Sequence, residues 1–123
     1  MLNIAARSDS MDRLKWLLEN GADINAIATD RGYTAVMDAV WRRNFEMTAY
    51  LIEKGAKLDT VSSDGQPVMV LAVGIGDEKI VKLLLESGAD PELKDTMDMS
   101  ARQYAMLFKK PEIAKVFEAF DSK

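Results

Sequence analysis

Cysteine and histidine are both absent from the 123-residue chain. Without cysteine there can be no disulfide and no thiolate chemistry, which suits the cytoplasm or another reducing intracellular compartment, the expected location. Without histidine the commonest general base and the commonest metal ligand are gone. An enzyme would have to work with carboxylates, lysine and tyrosine. No run of roughly 18 apolar residues occurs, so no membrane-spanning helix is expected. The opening "MLNIAARSDS" lacks a basic segment followed by a long apolar stretch, so it does not read as a secretory leader. An excess of positive charge is missing too: 16 basic and 20 acidic side chains are scattered in mixed order, for a net charge of −4. Nucleic-acid binding driven by counterion release needs a basic stripe, and none is present.

What is there has the balance of a folded globular domain, with 48% apolar and 29% charged residues. The length is that of a single domain able to bury its own core. Within it the chain repeats itself. "LLENGADINA" (17–26), "LIEKGAKLDT" (51–60) and "LLESGADPEL" (84–93) are one phrase written three times. "GYTAVMDAV" (32–40), "GQPVMVLAV" (65–73) and "DMSARQYAM" (98–106) fall in a second common register, and "LNIAA" (2–6) matches its latter part. A fixed period of about 33 residues with two helical patterns per unit is the mark of a stacked array.

Each unit has a physical reading. Thr34 and Ser100 can cap a short helix by accepting from its free backbone amides. Pro67 holds that register in the third unit, where a first-turn proline is tolerated. A second helix follows, with Ile80, Val81, Leu83, Leu84 and Leu85 at helical spacing. Gly21, Gly55 and Gly88 end the second helices. Gly32 and Gly65 then signal turns about ten residues later.

Together these phrases resemble the ankyrin repeat over essentially the whole chain. The resemblance implies an all-α solenoid of stacked antiparallel helix pairs with hairpin-like fingers. The expected units are 1–27, 28–61, 62–94 and 95–123, the first without a finger and both end units acting as caps. The family's T-P-L-H tetrapeptide stands here as "TAVM" (34–37), "PVMV" (67–70) and "SARQ" (100–103), always without its histidine. "AIATDRG" carries one residue more than the loop before Gly65, so the first finger is expected to bulge. Arg13 shares a register with Met47, Ile80 and Ile113, and Glu118 with Leu18, Ile52 and Leu85. Polar substitution of this kind fits capping of the two ends, and points to a whole small protein over a slice of a longer array. Asn25 occupies the register at which the family can be hydroxylated by an asparaginyl hydroxylase.

Other chemistry finds little support. "GIGDEK" (74–79) lacks the G-K-[ST] of a phosphate loop and follows a helical pattern. Asp59, Asp64, Asp95 and Asp98 form no calcium loop. Asp9 with Asp12, or Glu112 with Glu118, read as solvated helix faces rather than acid–base pairs. No catalytic residue, metal or cofactor is expected.

In the ankyrin family the concave groove is lined by finger tips and exposed first-helix positions. Carried over, these give three columns: Ile4, Asp38, Leu71, Tyr104; Arg7, Trp41, Gly74, Leu107; and Ser8, Arg42, Ile75, Phe108. Finger residues Asp30, Arg31, Tyr33, Asp64 and Gln66 complete the surface, with Tyr33 and Gln66 facing the groove mouth. An aromatic and aliphatic patch rimmed by arginine has the composition of an interface centre. Trp41, beside the bare Gly74, is the leading contact, while Trp16 belongs to the core by register. Most of the methionines fall at core registers and are expected to fill the core, Met47 sharing its column with Ile80, whereas Met97 and Met99 flank the last finger. The expected function is to bind another protein without catalysis, the chain being a monomer by itself. An inhibitor or immunity-type protein that blocks a partner enzyme would use the same surface. A structural fragment of a larger repeat protein is the third reading.

Overall fold

Helical spacing, short turns and regularly placed glycines produce four consecutive helix pairs. The computed structural model describes residues 2–29, 32–107 and 111–122. Among these, the helices are α1 (Leu2–Arg7), α2 (Met11–Glu19), α3 (Ala35–Trp41), α4 (Phe45–Glu53), α5 (Val68–Ile75), α6 (Glu78–Glu86), α7 (Ala101–Leu107) and α8 (Pro111–Asp121). The first helices α1, α3, α5 and α7 stack in that order, and α4, α6 and α8 stack behind them. The fold is the all-α ankyrin-type solenoid that the repeats imply.

The core runs the length of the stack. Leu2, Leu14, Val36, Met47 and Leu51 gather between the first two pairs. Val40, Leu71, Val73, Leu84, Ile113 and Phe117 gather along the rest, and Ile52 and Leu58 pack against both groups. In α5 every residue from Val68 to Val73 is buried, because α3 covers one side and α7 the other. Burying each such aliphatic side chain is worth about 1.5–3 kcal/mol.

Isolated antiparallel bridges, Val61 with Pro67 and Lys94 with Ser100, close the bases of two fingers. The fingers differ as their lengths predict. The amide of Ser62 donates to the carbonyl of Gln66 at 3.0 Å, and that of Asp95 to Met99 at 3.0 Å. In the first finger the equivalent bond runs from Ala28 to Tyr33, one residue farther on, at 2.9 Å. The extra residue of "AIATDRG" is taken up in a wider turn.

Successive fingers nest. A Cβ on Gly32 would stand 2.0 Å from the Ser63 hydroxyl and 2.6 Å from its amide nitrogen, and one on Gly65 would stand 2.1 Å from Thr96. Both glycines also have positive φ, +67° and +80°. In the last finger Asp98 holds the same place at φ +62°. Among the described residues no finger presses on it.

Capping divides the first helices. Ser100 Oγ accepts from the Gln103 amide at 3.2 Å while Gln103 Oε1 accepts from the Ser100 amide at 2.9 Å, a reciprocal capping box. Thr34 does not cap as expected: its buried hydroxyl has no hydrogen-bond partner among the described residues. Met37 stands where Gln103 stands one capping box later, and a thioether cannot return the bond. The second helices are capped by Ser10, Asn44 and Asp77, a column with its own short polar side chains.

Trp16 corrects the sequence reading. Its register places it in the core, yet it is 60% exposed. Its column, with Tyr50, Leu83 and Val116 half-buried, faces the preceding unit. Among the described residues nothing covers the first pair in this way. Met106 is likewise exposed rather than core-filling.

Candidate functional site

The groove side of α3 is built on a strained turn. Asp9, Arg43 and Gly76 occupy the same place after their first helices, with φ of +56°, +57° and +82°. A left-handed conformation costs an L-residue roughly 1–2 kcal/mol. Asp9 and Arg43 each offset it with a bond to the next unit. Asp9 accepts from Arg42 Nη2 at 2.8 Å and Asn44 Nδ2 at 3.1 Å. Arg43 Nη2 donates to the carbonyl of Ile75 at 3.2 Å. Hydrogen bonds from Arg42 and then Asn44 hold the Asp9 carboxyl below the usual carboxylate range. The same pairing raises the Arg42 guanidinium.

The column Ile4, Asp38, Leu71, Tyr104 is not a groove column. Asp38 is only 1% exposed and Leu71 is buried. Asp38 accepts from Asn3 Nδ2 and from Arg7 Nε, both at 3.1 Å. Asn3 Nδ2 also donates to the Tyr33 carbonyl at 2.7 Å. These positions turn toward the preceding unit, so a neighbour covers them wherever there is one. Tyr33, expected at the groove mouth, is buried in the core cluster it shares with the units that follow. Tyr104 is half-buried, and its hydroxyl donates to the Asp95 carboxylate. That bond raises the Tyr104 hydroxyl. Burial pushes the Asp95 carboxyl up, but bonds from Tyr104 and from the Met99 and Met97 amides outweigh it and leave it lowered.

The expected arginine rim is engaged in ion pairs. Arg7 is half-buried against Asp38, and Arg42, still exposed, reaches back to Asp9. They act as struts between the first and second units. Asp30, Arg31 and Phe108 lie outside the described residues.

What remains together is smaller. Trp41 is 49% exposed, and Gly74 and Leu107 follow it in the same column, both exposed. Among the described residues nothing comes within 4 Å of a Cβ placed on Gly74. Trp41 therefore does not cover that spot. Arg42 and the half-buried Ile75 lie in the adjoining column, with exposed Asp64 and half-buried Gln66 on the finger. The Asp64 carboxylate accepts from the Ser62 hydroxyl, and the Gln66 amide donates to that hydroxyl at 3.1 Å, so the finger is held rigid. Ile27 and Val61, both exposed, form a further apolar column on the fingers. Their common register was the signal, and no helix periodicity pointed to it. Among the described residues no group of acidic side chains could hold a metal ion. No helix among the described residues is long and apolar enough to cross a membrane.

The family model for ankyrin repeats, in three copies, matches residues 2–95. The chain belongs to the ankyrin-repeat family. It is 34% identical over 113 residues to a putative ankyrin repeat-containing protein of Treponema pallidum, covering 92% of this chain and 38% of that protein. It is 30% identical over 95 residues to the nuclear factor NF-kappa-B p105 subunit of Gallus gallus, covering 76% of this chain and 10% of that one. Among solved structures, the ankyrin repeat domain of Bcl-3, a member of the IkappaB family, superposes with a TM-score of 0.88 at 26% identity. It covers 95% of this chain and 50% of that one. This ankyrin chain thus spans less than half the length of these curated relatives. Ankyrin repeats are in general non-catalytic modules that bind other proteins.

Proposed function

We propose that this ankyrin chain binds another protein through Trp41, Arg42, Gly74, Ile75 and Leu107, with Asp64 and Gln66 on the finger, and performs no catalysis. The observation that carries the reading is Trp41, half exposed beside the open position at Gly74. An exposed tryptophan next to a position that carries no side chain offers a partner side chain a wall and a floor. Tryptophan and arginine dominate among residues whose truncation costs an interface about 2 kcal/mol or more. The surface is preformed, so docking orders few groups. With a net charge of −4 and no basic stripe, nucleic acid is not the partner we propose. One relative is by its printed name a subunit of a larger assembly, which accords with a binding role.

The test is capture from the native extract with identification by mass spectrometry. Trp41→Ala and Gly74→Glu are compared with the parent chain. The first removes the wall and the second fills the floor, and neither touches a core contact. Proteins held by the parent and lost from both variants, with unchanged helical circular dichroism, support the reading. The same proteins held equally by both folded variants would refute it.

A further inference from the structure

A groove opens between second helices at two junctions of the stack, and matching register positions line both. Between α2 and α4 these are Leu18, Glu19, Tyr50 and Lys54. Between α6 and α8 the same positions hold Leu85, Glu86, Val116 and Phe120. The first groove stays open although α6 packs on α4, so stacking a further unit does not cover this side. The opening belongs to the junction itself. It shares no residue with the surface around Trp41 and Gly74.

The first groove supplies its own aromatic occupant. The Lys15 ammonium lies 5.3 Å from the centre of the Tyr50 ring, and that of Lys54 lies 5.6 Å from it. The electron-rich face of a ring attracts cations in this way. In the last groove Lys82 keeps the register of Lys15, but the other two parts have changed. Val116 has no ring to set against that lysine, and Phe120 is apolar where Lys54 is charged. A cavity of about 470 Å³ results, within the range that takes small molecules. Leu85, Val116 and Phe120 give it an apolar lining. Glu78, Glu86 and Glu112 face Lys82 and Lys115 around it, three carboxylates against two ammonium groups. Lys82 lies 3.9 Å from Glu86, so the remaining balance is Glu78 and Glu112 against Lys115. The groove thus lacks the two things that Tyr50 and Lys54 bring to its counterpart, an aromatic ring and a positive charge.

We propose that the groove between α6 and α8 binds a small aromatic amine. Its ring takes the place against Lys82 that Tyr50 fills against Lys15, and packs on Phe120. Its ammonium restores the charge that Lys54 carries and Phe120 does not, and meets the surplus carboxylates.

Titration of the isotope-labelled chain with phenethylamine, followed through its amide NMR signals, tests this. Shifts should gather at Lys82, Leu85, Val116 and Phe120. They should saturate in the millimolar range, as fits a ligand of about nine heavy atoms. Val116→Tyr, at a position that accommodates Trp16 and Tyr50 in other units, should keep the helical signal and abolish the shifts. Glu112→Gln, at an exposed position, should weaken the amine about two- to fivefold and leave neutral phenethyl alcohol unaffected. Phenylpropanoate, the same ring on a carboxylate, should bind at least about threefold more weakly than the amine. The proposal is overturned by a parent chain with no saturable shifts at these residues, or by a folded Val116→Tyr that binds like the parent. It is equally overturned if Glu112→Gln holds the amine as tightly as the parent does, or if the parent holds the carboxylate as tightly as the amine.

Discussion

The junction between the first and second units and the junction between the third and fourth both have a hydrocarbon core, but the first adds a polar seam that the last lacks. In the first, Asn3, Arg7 and Asp9 reach across to the Tyr33 carbonyl, Asp38, Arg42 and Asn44, and Asn25 accepts from the Lys57 amide at 2.8 Å. In the last, Leu71, Leu84, Ala105, Ile113 and Phe117 meet as hydrocarbon. There a polar clamp sits only at the edge. Arg102 donates to Glu92 at 2.8 Å and to both Asp121 oxygens at 2.5 and 3.1 Å, and lies over the Phe117 ring. Bonds to Asp121 and Glu92 raise the Arg102 guanidinium. One repeat geometry thus accepts either kind of seam. Polar seams fix which unit follows which, because donors must find their acceptors. Apolar seams supply more stabilisation and less selectivity.

Three substitutions separate the two seams. The largest loss should come from Leu84→Ala, which opens a cavity in the apolar junction and costs about 3 kcal/mol. Urea denaturation should show it undiminished in high salt. Asp38→Ala comes next. It removes the acceptor shared by Asn3 and Arg7 and should cost about 2–3 kcal/mol. A loss in Asp38→Ala as small as that of an ordinary surface substitution would show the polar seam to be decorative. The smallest effect is expected at Asp9→Asn, where both partners are exposed and screened. Its sign with pH is nonetheless definite. The folded Asp9 carboxyl is held below its unfolded value, so its stabilisation is complete above the ordinary carboxylate range. It is lost as pH falls through the folded value. Thermal melts of parent and variant should therefore differ near neutrality and converge on acidification below about pH 4.

Much of the fold was legible in the sequence because the repeated phrases carry their own punctuation. The glycines after the first three second helices, the Ser100 cap and the extra residue of the first finger all stand where local chemistry puts them. The candidate site was less legible. Burial at a given column depends on whether a neighbouring unit covers it, and one unit's pattern does not contain that fact. Asp38 and Leu71 looked like groove residues and Trp16 like core for this one reason. A better signal was present: Arg7 and Asp38 stand in adjacent columns one unit apart with opposite charge. Thr34 fails for a different cause. Its hydroxyl accepts from no helix amide, and Met37 makes no return bond of the kind Gln103 gives Ser100.

The nested finger turns give the array a direction of growth. A duplicated second or third unit brings Gly32 or Gly65 with it, and can be inserted wherever another finger will press on that turn. The unit bearing Asp98 cannot be moved inward unchanged, because its Cβ would stand where the next finger must lie. Lengthening by duplication is therefore open to the middle of this chain and barred to its last unit, and a single turn position records which copy is which.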